Sequence, residues 1–201
     1  MTYYFNSAEI LAPFSITSNE PTFDVDTVSL KKQRATQDAQ RWELSFNTIG
    51  TPDTQADLLV NSVNNLISTA TMPMPQLPSI NTKYTLLSNS TAIAASAALG
   101  ATSITINTAN AVGLLPKGSF VKFSNHDKIY LVTADCNMNT VTNPTLSIFP
   151  GLTTALTTSH LLNSGPAAIL TYYQSIDNYR GITFSDGVLS NAGTITLIEA
   201  I

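Results

Sequence analysis

Charge is what this chain has least of. Asp, Glu, Lys and Arg together make up 11% of its 201 residues, where about 25% is usual. Thr, Ser and Asn take their place, giving a surface that is polar but repels itself little, as suits a protein covered by neighbours. Basic residues are scarcer still: nine Lys and Arg against thirteen Asp and Glu, for a net charge of -4. That is too few cations, too scattered, for a general nucleic-acid binder. There is one cysteine, Cys136, which excludes an intrachain disulfide framework and a cysteine-based zinc site and is read as a packing residue. The nine glycines are dispersed. They form neither GxxxxGK[ST] nor GxGxxG, so no phosphate loop is present. No uninterrupted apolar run approaches the roughly 18 residues of a membrane span. The opening MTYYFNSAEI lacks the basic and apolar stretches of a signal peptide.

Hydrophobic residues amount to 43%, ordinary for a globular protein with one large domain or two small ones. Residues 21–49 read as a β-hairpin. Phe23, Val25, Thr27 and Val28 form one stretch, and Trp42, Leu44, Phe46 and Thr48 alternate with polar neighbours in the second. The polar KKQRATQDAQR between them reads as a long tip or arm. A helix is expected from Thr51–Asp53 to about Ser68, with Leu58, Leu59, Val63, Leu66 and Ile67 near helical spacing. Prolines 73, 75 and 78 then demand an extended linker. Beyond it, Ala95–Leu99 is ambiguous between a helical turn and a strand. Strands are expected at Ser103–Thr108, Phe120–Phe123, Ile129–Val132, Thr145–Pro150, Ala167–Ile176, Ile182–Phe184 and Gly193–Ile201. The fold class is therefore mainly β with one or two helices: a β-sandwich or barrel core, residues 1–72 and 160–201, carrying a small β-barrel inserted at 73–159.

Few residues suggest chemistry. His126 and His160 lack metal-ligand spacing, and no GxSxG elbow frames a nucleophile. The same-face pairs Asp24 with Asp26 and Asp53 with Asp57 are explained by capping and solubility. No catalytic residue, metal or cofactor is expected. The basic cluster Lys31, Lys32, Arg34 and Arg41, mixed with Asp38 and Glu43, reads either as a solvated tip or as an arm that pairs with a neighbouring subunit.

QRWELSFNTIG followed by an amphipathic helix resembles the hairpin-and-helix half of bacteriophage tail-tube-fold proteins, including tube initiators, distal-tail rings and baseplate hub rings. SITINTANAVGLLPKGSFVKFSNHDKIYLVTAD, closed by TLSIFPGLTTAL, is similar to small β-domains inside phage tail and baseplate proteins. GTITLIEAI looks like a last tube strand. The resemblance implies a non-enzymatic virion protein, made in the host bacterial cytoplasm. Copies of it would form a ring, usually sixfold, that continues the DNA channel without reading sequence. Lys31, Lys32, Arg34 and Arg41 would dock on the adjacent ring, and the inserted domain would touch tube, hub, baseplate or sheath proteins. The alternative is a carbohydrate- or receptor-binding module of the tail tip, with the inserted unit doing the binding.

Overall fold

A computed structural model describes residues 4–5, 8–26, 32–36, 39–49, 55–76, 91–107, 113–138, 142–176, 183–185, 188–191 and 194–201. The chain is mainly β, with 53% of residues in strands and 8% in helices, antiparallel sheets and one sheet curled into a half-barrel. Its contacts divide it into two units: Ala70–Thr171, and Thr2–Thr69 with Tyr172–Ala200.

The second of these, the outer unit, begins with β1 (Tyr4–Phe5), β2 (Ala8–Asn19), β3 (Thr22–Asp26), β4 (Lys32–Thr36), β5 (Arg41–Ile49) and helix α1 (Gln55–Asn64). It ends with the last part of β15 (Ile169–Gln174), then β16 (Thr183–Ser185), β17 (Val188–Asn191) and β18 (Thr194–Glu199). Its sheet runs β1-β2-β5-β18-β15, antiparallel at every pairing. β5 sits in the middle because its pattern permits nothing else: Trp42, Leu44, Phe46 and Thr48 are buried while Arg41 and Asn47 are exposed. Phe5 closes this core, edge-on to Phe46 with ring centroids 5.3 Å apart. Leu58 of α1 and Leu197 of β18 complete it. β18 is covered on both faces over Ile195–Leu197, so Thr196 is buried along with its apolar neighbours. Where the ladder between β5 and β18 ends, the buried carboxylate of Glu199 accepts the Trp42 N–H at 3.0 Å. The helix is fastened by Asn65, whose carbonyl accepts the Gln174 N–H at 2.9 Å and whose side-chain amide donates to the Tyr172 hydroxyl at 3.4 Å.

Two sequence readings change here. The hairpin at 21–49 is not a pairing of its two apolar stretches. β3 pairs with β4, in the register Phe23 with Ala35, Asp24 with Arg34, Val25 with Gln33 and Asp26 with Lys32. β5 pairs instead with β18 and with β2. β2 was not expected at all. Its register with β5 breaks between Leu11 and Ser15, around Pro13, which has no N–H to give a ladder. The helix is described from Gln55, and a hydrogen bond from Ser68 N–H to the Asn64 carbonyl continues its last turn. Its expected caps at 51–53 lie outside the described residues, as do Pro78 and the turn at 186–187.

The inner unit contains β6 (Ala70–Pro73), β7 (Thr91–Ala92), β8 (Ser103–Thr105), β9 (Leu114–Leu115), β10 (Phe120–Phe123), β11 (Ile129–Val132), β12 (Cys136–Asn137), β13 (Thr145–Phe149), β14 (Leu161–Ser164), a 3-10 turn at Gly165–Ala167 and the start of β15. Six strands follow one another in the order β7-β14-β10-β11-β13-β8. The two ends of that order then meet. Ile93 bridges Ile106, Ala94 N–H donates to the Thr105 carbonyl, and Asn107 N–H donates to the Ala92 carbonyl, both at 2.9 Å. The sheet thus closes on itself as a small barrel, which leaves no ladder edge between its first and last strands. Its interior is a single apolar cluster that includes Ile93, Ile104, Ile106, Val121, Phe123 and Leu146. Cys136 lies within this cluster, and burial raises its thiol pKa. Ala95–Leu99 is not helical: Ala97 bridges Leu156 across the barrel rim. After β6 the chain is pinned by the buried Gln76, whose amide accepts the Phe120 N–H at 3.1 Å and donates to the Phe120 carbonyl at 3.3 Å. One side chain thereby stands in for a strand partner on β10.

Candidate functional site

Among the described residues, the outer unit groups exposed apolar side chains in two places, apart from the single Ile176. The first is the β3–β4 arm. All five residues of β3 are exposed, Phe23 at 59% and Val25 at 60%. Alternation puts Phe23 and Val25 on one face and Asp24 and Asp26 on the other. In the register Asp24 stands opposite Arg34 and Asp26 opposite Lys32. A lone two-stranded ribbon is marginal in water, and this one also offers its apolar face to solvent. The second place is the outer side of α1 and its following turn, where Leu59, Val60 and Val63 are exposed and Ile67 reaches 89%. These lie three or four residues apart and so share one stripe.

The outer sheet also keeps a partly open edge. Among the described residues, β1 reaches only Ala8 and Glu9 of β2, and Ile10–Asn19 pair on one side alone, with β5. A groove of about 650 Å³ opens at the root of the arm. Pro21, Ala39, Tyr173 and Ile198 supply its apolar lining, and Glu20 and Arg41 its charges. Arg41 is held there by a 3.3 Å hydrogen bond from Nη1 to the Tyr173 hydroxyl.

The four basic residues singled out in the sequence thus separate. Lys32, exposed, and Arg34 lie on the arm. Arg41 is not part of a tip with them; it begins β5 and lines the groove at the arm's root. Lys31 lies outside the described residues. The groove was not readable beforehand, because its walls come from positions near 20, 40, 173 and 198.

The barrel holds a second polar cluster. His126 sits in the turn after β10, half-buried, with Nδ1 2.7 Å from Asn125 Oδ1 and Nε2 2.7 Å from the Tyr130 hydroxyl. Thr153 N–H donates to that hydroxyl at 3.0 Å, and Thr153 Oγ1 is also 3.0 Å from it. The pattern is satisfied by a neutral imidazole that donates from Nδ1 and accepts at Nε2. Burial, and then the nearby Lys122 ammonium, lower the His126 pKa from 6.5 to about 4. Lys122 Nζ pairs with Asp127 Oδ1 at 2.7 Å and Thr171 donates to the same oxygen at 3.1 Å, which holds the carboxyl below its ordinary value. A cleft of about 390 Å³ lies against these residues, with Asn163 and Ile169 on its other side. His126 thus ties a turn to the loop after β13. His160 accepts the Thr157 N–H at 3.1 Å within its own turn. Asp57 is exposed in the first turn of α1, and Asp53 lies outside the described residues. Among the described residues no group of three or more His, Cys, Asp or Glu could hold a metal ion, and no helix is long and apolar enough to cross a membrane.

No family model matches the chain, and no curated protein matches it in sequence.

Proposed function

We propose that this is a structural, non-enzymatic protein that works by assembling with copies of itself, as a ring of a bacteriophage tail tube or baseplate. The observation that carries self-assembly is the β3–β4 arm, an amphipathic ribbon that exposes Phe23 and Val25. Such a face is stable in water only when something covers it. The apolar stripe of α1 supports the same reading, since several copies side by side would cover it. The low charge lets copies approach closely. The assignment to phage rests on the resemblance of the β5–α1 run, the barrel run and the terminal strand to tail proteins. On this reading the ring encircles a DNA channel and the barrel contacts tube, hub, baseplate or sheath proteins.

The alternative, a sugar- or receptor-binding tail-tip module, has the Lys122–Asp127 cleft in its favour. Against it, the barrel aromatics Phe120, Phe123 and Tyr130 are buried and present no face for a sugar to stack on. Negative-stain microscopy and sedimentation of the purified protein test the proposal. Rings with an open lumen are expected. A protein that stays monomeric at high concentration and joins no tube or hub protein overturns it.

A further inference from the structure

We infer that Asn125, His126, Tyr130 and Thr153 form a clamp that keeps its hydrogen bonds in both protonation states of the imidazole, by turning one hydroxyl proton. The Tyr130 hydroxyl is the pivot. It lies 2.7 Å from His126 Nε2 and 3.0 Å from Thr153 Oγ1, and it accepts the Thr153 N–H at 3.0 Å. Tyr130 is wholly buried, so its proton points at a protein atom rather than at bulk water. A phenol oxygen has one proton to give and two lone pairs to receive with. With the imidazole neutral, that proton points at Nε2 and the Thr153 N–H fills one lone pair. When Nε2 takes up a proton it becomes a donor. The phenol then receives from Nε2 and from the Thr153 N–H, and its own proton turns to Thr153 Oγ1. Thr153 is exposed, so its displaced hydroxyl proton turns to solvent. One proton enters, none leaves, and no bond of the chain is lost.

The other side of the ring needs no change. Nδ1 donates to Asn125 Oδ1 at 2.7 Å in both states, and Asn125 Nδ2 donates to the Ala155 carbonyl at 3.1 Å. His126 therefore grips residues 153–155 from both of its nitrogens, once through Tyr130 and once through Asn125. What acid costs here is burial of charge and its repulsion. Lys122 on β10, Lys128 just before β11 and His160 just before β14 disfavour the imidazolium, and Asp127 favours it. Acid thus weakens the barrel without opening this corner, and the loop after β13 stays fastened to the turn after β10.

Titration of the imidazole by NMR on the intact chain tests the pivot. Thr153→Val removes the second acceptor and keeps the N–H. The charged state then leaves a buried phenol proton without a partner. The His126 midpoint is expected to fall by about 0.5–1 pH unit, a roughly three- to tenfold loss of proton affinity. Thr153→Ser returns the hydroxyl and is expected to return the midpoint. A midpoint that valine leaves in place or raises, or that serine fails to restore, overturns the inference. Amide exchange of the wild-type protein gives a second reading that needs no variant. The Thr153 N–H is expected to keep its protection, corrected for the intrinsic rate, on both sides of the His126 midpoint. The Leu152 and Leu156 amides, which donate to the Ala101 and Ala97 carbonyls, serve as references. Protection lost at Thr153 on the acid side, while those two keep theirs, shows the clamp breaking on protonation and overturns it.

Discussion

The two units solve the same problem in opposite ways. A β-sheet must dispose of its edges and cover its apolar face. The inner unit does most of this by itself: hydrogen bonds at Ala94 and Asn107 join the first and last strands of its six-stranded sheet, and its buried apolar side chains form a single cluster, with Leu99 the most exposed of the large apolar residues outside it. The outer unit does neither completely. Among the described residues its β2 pairs mainly with β5, its arm projects Phe23 and Val25, and α1 turns Val60 and Val63 outward. Self-sufficiency in one unit and unfinished surface in the other teach where an interaction is to be sought.

The contrast is broken most severely by opening the barrel core. Leu146 is fully buried within the cluster. Leu146→Ala is expected to cost about 2–5 kcal/mol, from lost burial and the cavity left behind. The midpoint of chemical denaturation, read by hydrogen exchange of the barrel amides, measures it. A loss under 1 kcal/mol would mean that the barrel is looser than its closure suggests.

Next in size is an added atom. Gly151 lies so close to Gly100 that a Cβ there would meet the Gly100 carbonyl oxygen at 2.7 Å. That oxygen belongs to backbone, and Gly100 itself sits at φ +78° and donates its N–H to the Leu152 carbonyl. Neither side yields cheaply. Gly151→Ala is expected to destabilise the barrel by about 1–3 kcal/mol, seen as a lower melting temperature.

Acid sharpens the comparison by acting on the barrel. The His126 imidazole titrates near 6.5 when unfolded and near 4 in the fold. Between those values the unfolded chain binds more protons, so stability rises with pH across the window. The contribution is complete above about pH 6.5 and is lost as pH falls to about 4. The imidazole is only half-buried, so the loss is expected to be roughly 1–2 kcal/mol after discounting for solvent screening. Asp127, held below 3.8 by Lys122, adds a further loss at lower pH, as its carboxylate protonates. His126→Gln is expected to flatten the profile between pH 4 and 6.5, measured by denaturant midpoints across that range. An unchanged slope would assign the acid sensitivity to other groups.

How much of this was legible beforehand follows from which residues face a core. The alternation of Trp42, Leu44, Phe46 and Thr48 announced β5, because one buried face imposes a period of two; Thr194–Glu199 announced β18 through its β-branched residues, although Ile195–Leu197 are buried on both faces. The strands at Phe120–Phe123 and Ile129–Val132 were legible as short runs of apolar and aromatic residues, with the polar turn at 124–127 between them. β4 was not. Lys32–Thr36 is mostly polar and carries no alternating apolar residues, so KQRAT read as a tip. β2 was missed because it is half-exposed and interrupted around Pro13. The barrel's closure through Ile93 and Ile106 and the groove at Arg41 are meetings of distant segments, which no local pattern encodes.

The smallest expected effect tests the outer unit where it is least finished. Val60 and Ile67 lie on the exposed stripe of α1, and Ile67 keeps 89% of its surface in solvent. In the isolated chain there is little burial to lose and Ser is about as good a helix former as Val, so replacing both with Ser is expected to change stability by no more than about 0.5 kcal/mol. If copies cover this stripe when they assemble, the same change removes apolar area that becomes buried only then, at roughly 25 cal/mol per Å². Assembly should therefore require a several-fold higher protein concentration while the melting temperature of the dilute monomer stays put. Sedimentation across a concentration series, set beside melting of the dilute protein, separates the two. A fall in monomer stability of 2 kcal/mol or more would show that the stripe is packed within its own chain. The comparison between a finished barrel and an unfinished outer sheet would then lose one of its two supports, leaving the arm to carry it.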